Sequence, residues 1–139
     1  MSEKQIEDEI IKLYIEDSQF TDTGHMASQV YVDGKRIDII RVRKDYSCVD
    51  AIEVKIKDWK GALGQAILNK HLADRSFVAI CKKYSKPALK NMDTFIENNI
   101  GLMVIDDDFE LRTIYLPPIQ NVQHEVYTAR NYTIQRAMA

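Results

Sequence analysis

Apolar positions in this chain recur with two periods, and each change of period marks a new element. Ile6, Ile10, Leu13 and Tyr14 fall at helical spacing within residues 5–15. Acids gather in the first turns, where the helix dipole favours them, so a first helix is predicted. Residues 18–27 hold Asp, Thr, Gly and Ser without a period and read as a loop. From Val30 the period becomes two. Val30 and Val32 alternate with polar neighbours, Asp33-Gly34 supplies left-handed turn chemistry, and Ile37, Ile39 and Ile40 resume the apolar signal of a hairpin. A turn near residues 44–47 leads to a third strand over Val49–Lys57. Ile52, Val54 and Ile56 fall on one of its faces, and Glu53, Lys55 and Lys57 on the other.

The helical period returns over Asp58–Ala73, where Trp59, Ala62, Leu63, Ala66 and Ile67 make one stripe and Asp58 is the N-cap. A strand at Phe77–Cys81 follows at once, so strand, helix and strand predict a right-handed crossover between parallel strands. Pro87 opens another helix with Leu89, Met92, Phe95, Ile96 and Ile100 facing inward, and Gly101 ends it. Leu102–Ile105 and Leu111–Leu116 read as strands joined by the acidic turn at residues 106–108, and Pro117-Pro118 stops the second. The expected fold is α/β, with a mixed central sheet flanked by helices in the order αβββαβαβ. Residues 1–118 form the domain, and residues 119–139 form an extension that either packs on it as a terminal helix or mediates association.

At 139 residues, with 45% hydrophobic and 29% charged, a single domain can bury roughly two-thirds of its unfolded surface without staples. The two cysteines, Cys48 and Cys81, lack metal-site or disulfide spacing and point to a reducing, cytoplasmic setting. No apolar run approaches the roughly 18 residues of a membrane span, and Ser2, Glu3 and Lys4 are unlike a signal peptide's core. The net charge of -2 hides an uneven distribution: residues 41–90 carry 12 Lys and Arg against 5 Asp and Glu, while residues 1–24 carry 2 against 7. A basic middle suits a polyanion, and equally an ordinary solvated surface.

Charge inside the strand pattern carries the chemistry. A central strand with helices on both faces is apolar nearly throughout, and Glu53 and Lys55 break that rule. Burying them without partners costs several kcal/mol each by the usual desolvation scale. Asp38 is likewise a charge within the apolar run of the preceding strand, and antiparallel pairing can bring it beside Glu53. Adjacent carboxylates raise each other's pKa unless a cation lies between them, and oxygen-only ligation suits Mg2+ or Mn2+. Lys55, two residues along the same face, stands about 6 to 7 Å beyond Glu53 by strand rise, within reach of a phosphate or a water. That is a constellation for phosphodiester hydrolysis.

Ile37-Asp38, fourteen intervening residues and Glu53-Val54-Lys55 resemble the motif of the PD-(D/E)XK nuclease superfamily, the restriction-endonuclease-like fold of many DNA nucleases and Holliday-junction resolvases. Ile37 stands where the motif has Pro. The resemblance covers residues 5–106. It implies that Asp38 and Glu53 hold the metal and that Lys55 positions or activates the attacking water. It implies a further acid on the first helix, Glu7 or its neighbour Glu9. Gln65, in Gly64-Gln65-Ala66, matches the Gln that several branches carry on the helix after the motif.

The expectation is therefore a Mg2+- or Mn2+-dependent DNA endonuclease, structure- or partner-directed, with a homodimer supplying paired cuts. Lys57, Lys60, Lys70, Arg75, Lys82 and Lys83 are its candidate DNA-binding cations. The alternative is a nuclease-fold module that binds nucleic acid or protein without cutting. Each residue also has a plainer reading: Glu53, Lys55 and Lys57 as the wet face of an edge strand, Asp38 as a cap or a partner of Arg36 or Arg41, Glu7 as a helix-dipole acid, and Gln65 as surface. His25 precedes the first strand and can approach the site, and Trp59 reads as core.

Overall fold

Six strands form one mixed sheet in strict chain order, β1 (Thr23–Val32), β2 (Lys35–Arg43), β3 (Val49–Lys55), β4 (Arg75–Cys81), β5 (Ile100–Ile105) and β6 (Leu111–Tyr115). This computed structural model describes residues 1–17, 20–119 and 124–139, with the side chains of all of these except 124–128. β1, β2 and β3 pair antiparallel, β3, β4 and β5 pair parallel, and β6 returns antiparallel to β5. Helix α2 (Trp59–Asn69) makes the crossover from β3 to β4. Two short helices, α3 (Lys86–Leu89) and α4 (Met92–Glu97), make the one from β4 to β5. The chain is thus α/β, a mixed six-stranded sheet flanked by helices. Among the described residues no helix is long and apolar enough to cross a membrane.

The period of two sorts the strand residues onto two covered faces. Helix α1 (Glu3–Glu16) starts from a capping box between Ser2 and Gln5. It lays Ile6, Ile10 and Tyr14 over Ile39, Ile52, Val54, Phe77, Ala79 and Met103. On the opposite face Ala62, Leu63 and Ala66 of α2 and Phe95 of α4 cover Val78, Ile80, Leu102 and Val104. Asp58 caps α2 as the sequence predicts, accepting a hydrogen bond from Gly61 N–H at 3.0 Å. Helix α5 (His124–Met138) covers the hairpin half, with Ala137 and Ile134 packed against Val30, Val32, Ile40 and Val42. Arg130 fixes it by donating to Asp74 at 2.6 Å. Because β4 and β5 are covered on both sides, they are apolar almost without interruption.

Five expectations are corrected. Residues 23–27 belong to β1 rather than to a loop. They lie on the sheet's edge strand, half-exposed, and the apolar Met26 and Ala27 pack toward opposite faces, which leaves no alternation to read. Helix α2 ends at Asn69 rather than Ala73, and β3 at Lys55 rather than Lys57. The helix predicted after Pro87 is two pieces, with Leu89 and Ile96 exposed and Ile100 already in β5. Asn99, at φ 53°, is the left-handed residue that closes α4. Gly101 lies within β5, where a Cβ would run into the Phe77 ring, so close packing rather than helix termination requires glycine there.

Candidate functional site

The ladder between β2 and β3 stops at the Ile39–Ile52 pair. The next step of the same register sets Asp38 opposite Glu53. There the Asp38 side chain takes over from the backbone, its Oδ2 accepting a hydrogen bond from Val54 N–H at 2.9 Å. The strands therefore part with two carboxylates at the fork. Both are buried, Asp38 at 6% and Glu53 at 7% exposure. Glu7, on α1, is the third at 4%. The charge of Asp38 acts on both glutamates.

Burial, and then the neighbouring Asp38 charge, push the Glu53 carboxyl up to about 7, against the attraction of Lys35 and Lys55. The Glu7 carboxyl is raised in the same way, by burial first and Asp38 second. Its Oε1 accepts from Gln29 Nε2 at 2.7 Å. Gln29 holds φ 52° within β1, directly opposite Asp38 by the pairs on either side of it. Left-handed backbone at a non-glycine strand residue is strained, and such strain collects at functional sites.

The Glu53 environment is incomplete. Its Oε2 is buried with no hydrogen-bond partner. Asn69, fully buried on α2, leans toward the same carboxylate and favours its charged form, yet neither polar atom of its amide reaches hydrogen-bond geometry. An orphan carboxylate oxygen beside a second carboxylate is the donor set a hard divalent cation takes. Among the described residues no three His, Cys, Asp or Glu side chains stand together as a ready-made metal cage. Mg2+ needs only one or two carboxylates when waters and phosphates fill the rest. Asp38 and Glu53 fit that requirement.

Lys55 is half-buried at the end of β3, its Nζ 4.0 Å from Glu3 Oε1, and its charge is felt at Glu53. Gln65 is exposed on α2 and accepts a hydrogen bond from Lys35 Nζ. Sequence reasoning missed Gln29, Lys35 and Asn69, which hold or face the carboxylates. Only the polar Asn69 at the end of an apolar stripe could have signalled any of them. Lys57, Lys60, Lys82 and Lys83 are exposed. Arg75 and Lys70 are not displayed with them. Arg75 is locked in a two-bond pair with Asp50, at 2.7 and 2.9 Å, and Lys70 donates to the Asn98 carbonyl at 2.7 Å. His25 pairs with the Ala137 carbonyl of α5 at 3.0 Å. Trp59 packs at 5.9 Å from the Phe95 ring.

No family model and no curated protein matches the chain. Among solved structures, a protein of unknown function from Silicibacter pomeroyi is similar, with a TM-score of 0.70 and 16% identity. The match covers 99% of this chain and 85% of that one. At that identity the likeness is one of fold, and the fold it supports is the mixed α/β sheet with flanking helices.

Proposed function

We propose that the fork between β2 and β3 is the active site of a divalent-metal-dependent DNA endonuclease with a restriction-endonuclease-like core. The observation that carries this reading is the buried, partnerless Glu53 Oε2 opposite Asp38 at the point where the ladder opens. Asp38 and Glu53 would hold Mg2+ or Mn2+, which when bound supplies an acidified water and charge neutralisation at the phosphate. Asp38 is oriented for that task by the Val54 N–H, which spends one of its oxygens and leaves the other for a ligand. Glu7 is positioned by Gln29 to accept a proton or a water's hydrogen bond beside Asp38. Lys55, weakly tethered to Glu3, swings to a phosphate oxygen and stabilises charge that develops during cleavage. Lys35 donates to Gln65 and its charge acts on Glu53, so the amide and the ammonium together would line the approach from α2. A homodimer would supply the two sites that a double-strand cut needs.

The test is cleavage of plasmid, flap and four-way-junction DNA with Mg2+, Mn2+ or chelator by wild type, Asp38→Asn and Lys55→Ala. Metal-dependent cutting that both substitutions abolish supports the nuclease. DNA binding that persists with no cutting under any metal supports the non-catalytic module instead.

A further inference from the structure

We infer that Tyr84, with Lys57 and Lys83 beside it, forms a stacking platform for one unpaired base of a DNA strand and so directs the protein to DNA with single-stranded segments. The inference names the substrate form of the site proposed above and takes DNA from that reading; the platform itself rests on separate observations.

The first is topological. β3 and β4 run parallel and pair through Lys55 and Ile80, so their C-terminal ends emerge together. The 3-10 turn Lys82–Tyr84 follows β4 at once, and Lys57 stands two residues past the end of β3. Tyr84 is therefore at the same end of the sheet as Lys55, where open α/β sheets take their ligands.

The second is the state of the side chains. Tyr84 is 38% exposed and belongs to none of the three apolar cores. The Lys57 and Lys83 ammonium groups lie 5.9 and 5.4 Å from its ring centroid. Among the described residues neither lysine, nor Lys82, is in an ion pair, in contrast to Arg41 and Arg75. Contacts between exposed lysines and a ring are weak, so both can leave the ring for phosphates when a base takes its face.

The third is a cavity of about 450 Å³ next to the ring, lined by Met1, Ile56, Cys81, Lys83, Tyr84 and Asp107. Its walls are mixed, with Lys83 and Asp107 of opposite charge beside Met1, Ile56 and Cys81, a lining that suits a neutral base better than a phosphate. The base thus belongs in the cavity against Tyr84, and the phosphates belong at its rim by Lys83 and beyond it by Lys57. A duplex keeps its bases stacked on one another and cannot use this arrangement, whereas a flap, a bubble or a free strand can.

The experiment is fluorescence anisotropy in chelator, so that nothing is cut. Labelled single-stranded, flapped and blunt duplex DNA are compared, with an RNA strand of the same sequence, for wild type, Tyr84→Phe, Tyr84→Ala and Lys83→Ala. Tyr84→Ala is expected to weaken single-strand and flap binding by about fivefold or more, the usual worth of one stacked base. Tyr84→Phe retains wild-type affinity, and blunt duplex changes less than twofold. Lys83→Ala weakens all DNA forms and flattens their salt dependence. Equal losses on single strand and duplex for Tyr84→Ala, or a Phe variant as weak as the Ala variant, would overturn the platform. Tighter binding of RNA than DNA would overturn the substrate class. Cleavage in Mg2+ separates the two readings: cutting that is indifferent to Tyr84 sinks the platform and leaves the nuclease, and Tyr84-dependent single-strand binding without any cutting does the reverse.

Discussion

β3 buries two acids three residues apart, Asp50 and Glu53, and the sheet treats them in opposite ways. Asp50 is saturated: Arg75 grips both of its oxygens, Arg41 donates at 3.1 Å and the Cys48 thiol at 3.3 Å. Arg41 is in turn bound to Asp22 and Thr23. Glu53, at the other end of the strand, has acids for neighbours, an unpaired oxygen and lysines held at a distance. A buried charge that is fully paired needs nothing more, and one that is left unpaired beside like charge takes up a proton or a ligand. The contrast separates architecture from candidate chemistry within one seven-residue strand.

Substitutions sharpen that contrast. The largest expected effect is on cleavage. Asp38→Asn keeps an acceptor for Val54 N–H but loses the charge, and should lower the rate by about a thousandfold or more, several kcal/mol of transition-state stabilisation, with the fold intact by circular dichroism. Asp50→Ala should do the reverse at the folding level, costing about 3 to 5 kcal/mol in urea denaturation, because it strips the largely buried Arg75 guanidinium of its carboxylate and leaves Arg41 only Asp22. Glu53→Gln should stabilise the metal-free protein at pH 8 by about 1 to 3 kcal/mol, since it removes an unsatisfied buried charge.

The same comparison has a pH signature. The Glu53 carboxyl is raised from its ordinary 4.5 to about 7 in the fold. The folded protein therefore holds a proton that the unfolded chain has released, and folding is favoured by low pH over that interval. Stability from this group is complete below about 4.5 and is lost as pH rises through about 7, with Glu7 acting in the same direction. Glu53→Gln should flatten this loss in a urea series from pH 4.5 to 8. Lys35→Met should change stability by less than about 0.5 kcal/mol and raise the Glu53 titration point further, read by NMR of the labelled carboxyl.

Much of this was legible in the residues, for reasons that also mark the gaps. The Asp33-Gly34 turn, both at positive φ, and the alternation from Ile52 to Lys55 set the hairpin and β3, because local chemistry and tertiary burial agree there. Asp38, Glu53 and Lys55 stood out as charges inside apolar strands. Residues 23–27 gave no period because both faces are half-covered there, Met26 packing toward one core and the adjacent Ala27 toward another. The break between α3 and α4 was hidden because Leu89 and Ile96 continue a helical spacing while lying in solvent. Arg75 looked like one more cation of a basic surface, since nothing in sequence reveals that the parallel pairing of β3 and β4 sets it against Asp50. Gln29, Lys35 and Asn69 meet the carboxylates from three separate elements, a convergence that only the folded sheet creates.

The central claim is that the fork at Asp38 and Glu53 is a cation site. Calorimetric titration of the metal-free protein with Mn2+ at pH 7, in buffers of different ionisation enthalpy, tests it most directly. A single site that releases protons on binding, and that Glu53→Gln or Asp38→Asn weakens strongly while Asp106→Asn does not, is the predicted result. Absence of binding, or binding of equal strength in wild type and both fork variants, would contradict it.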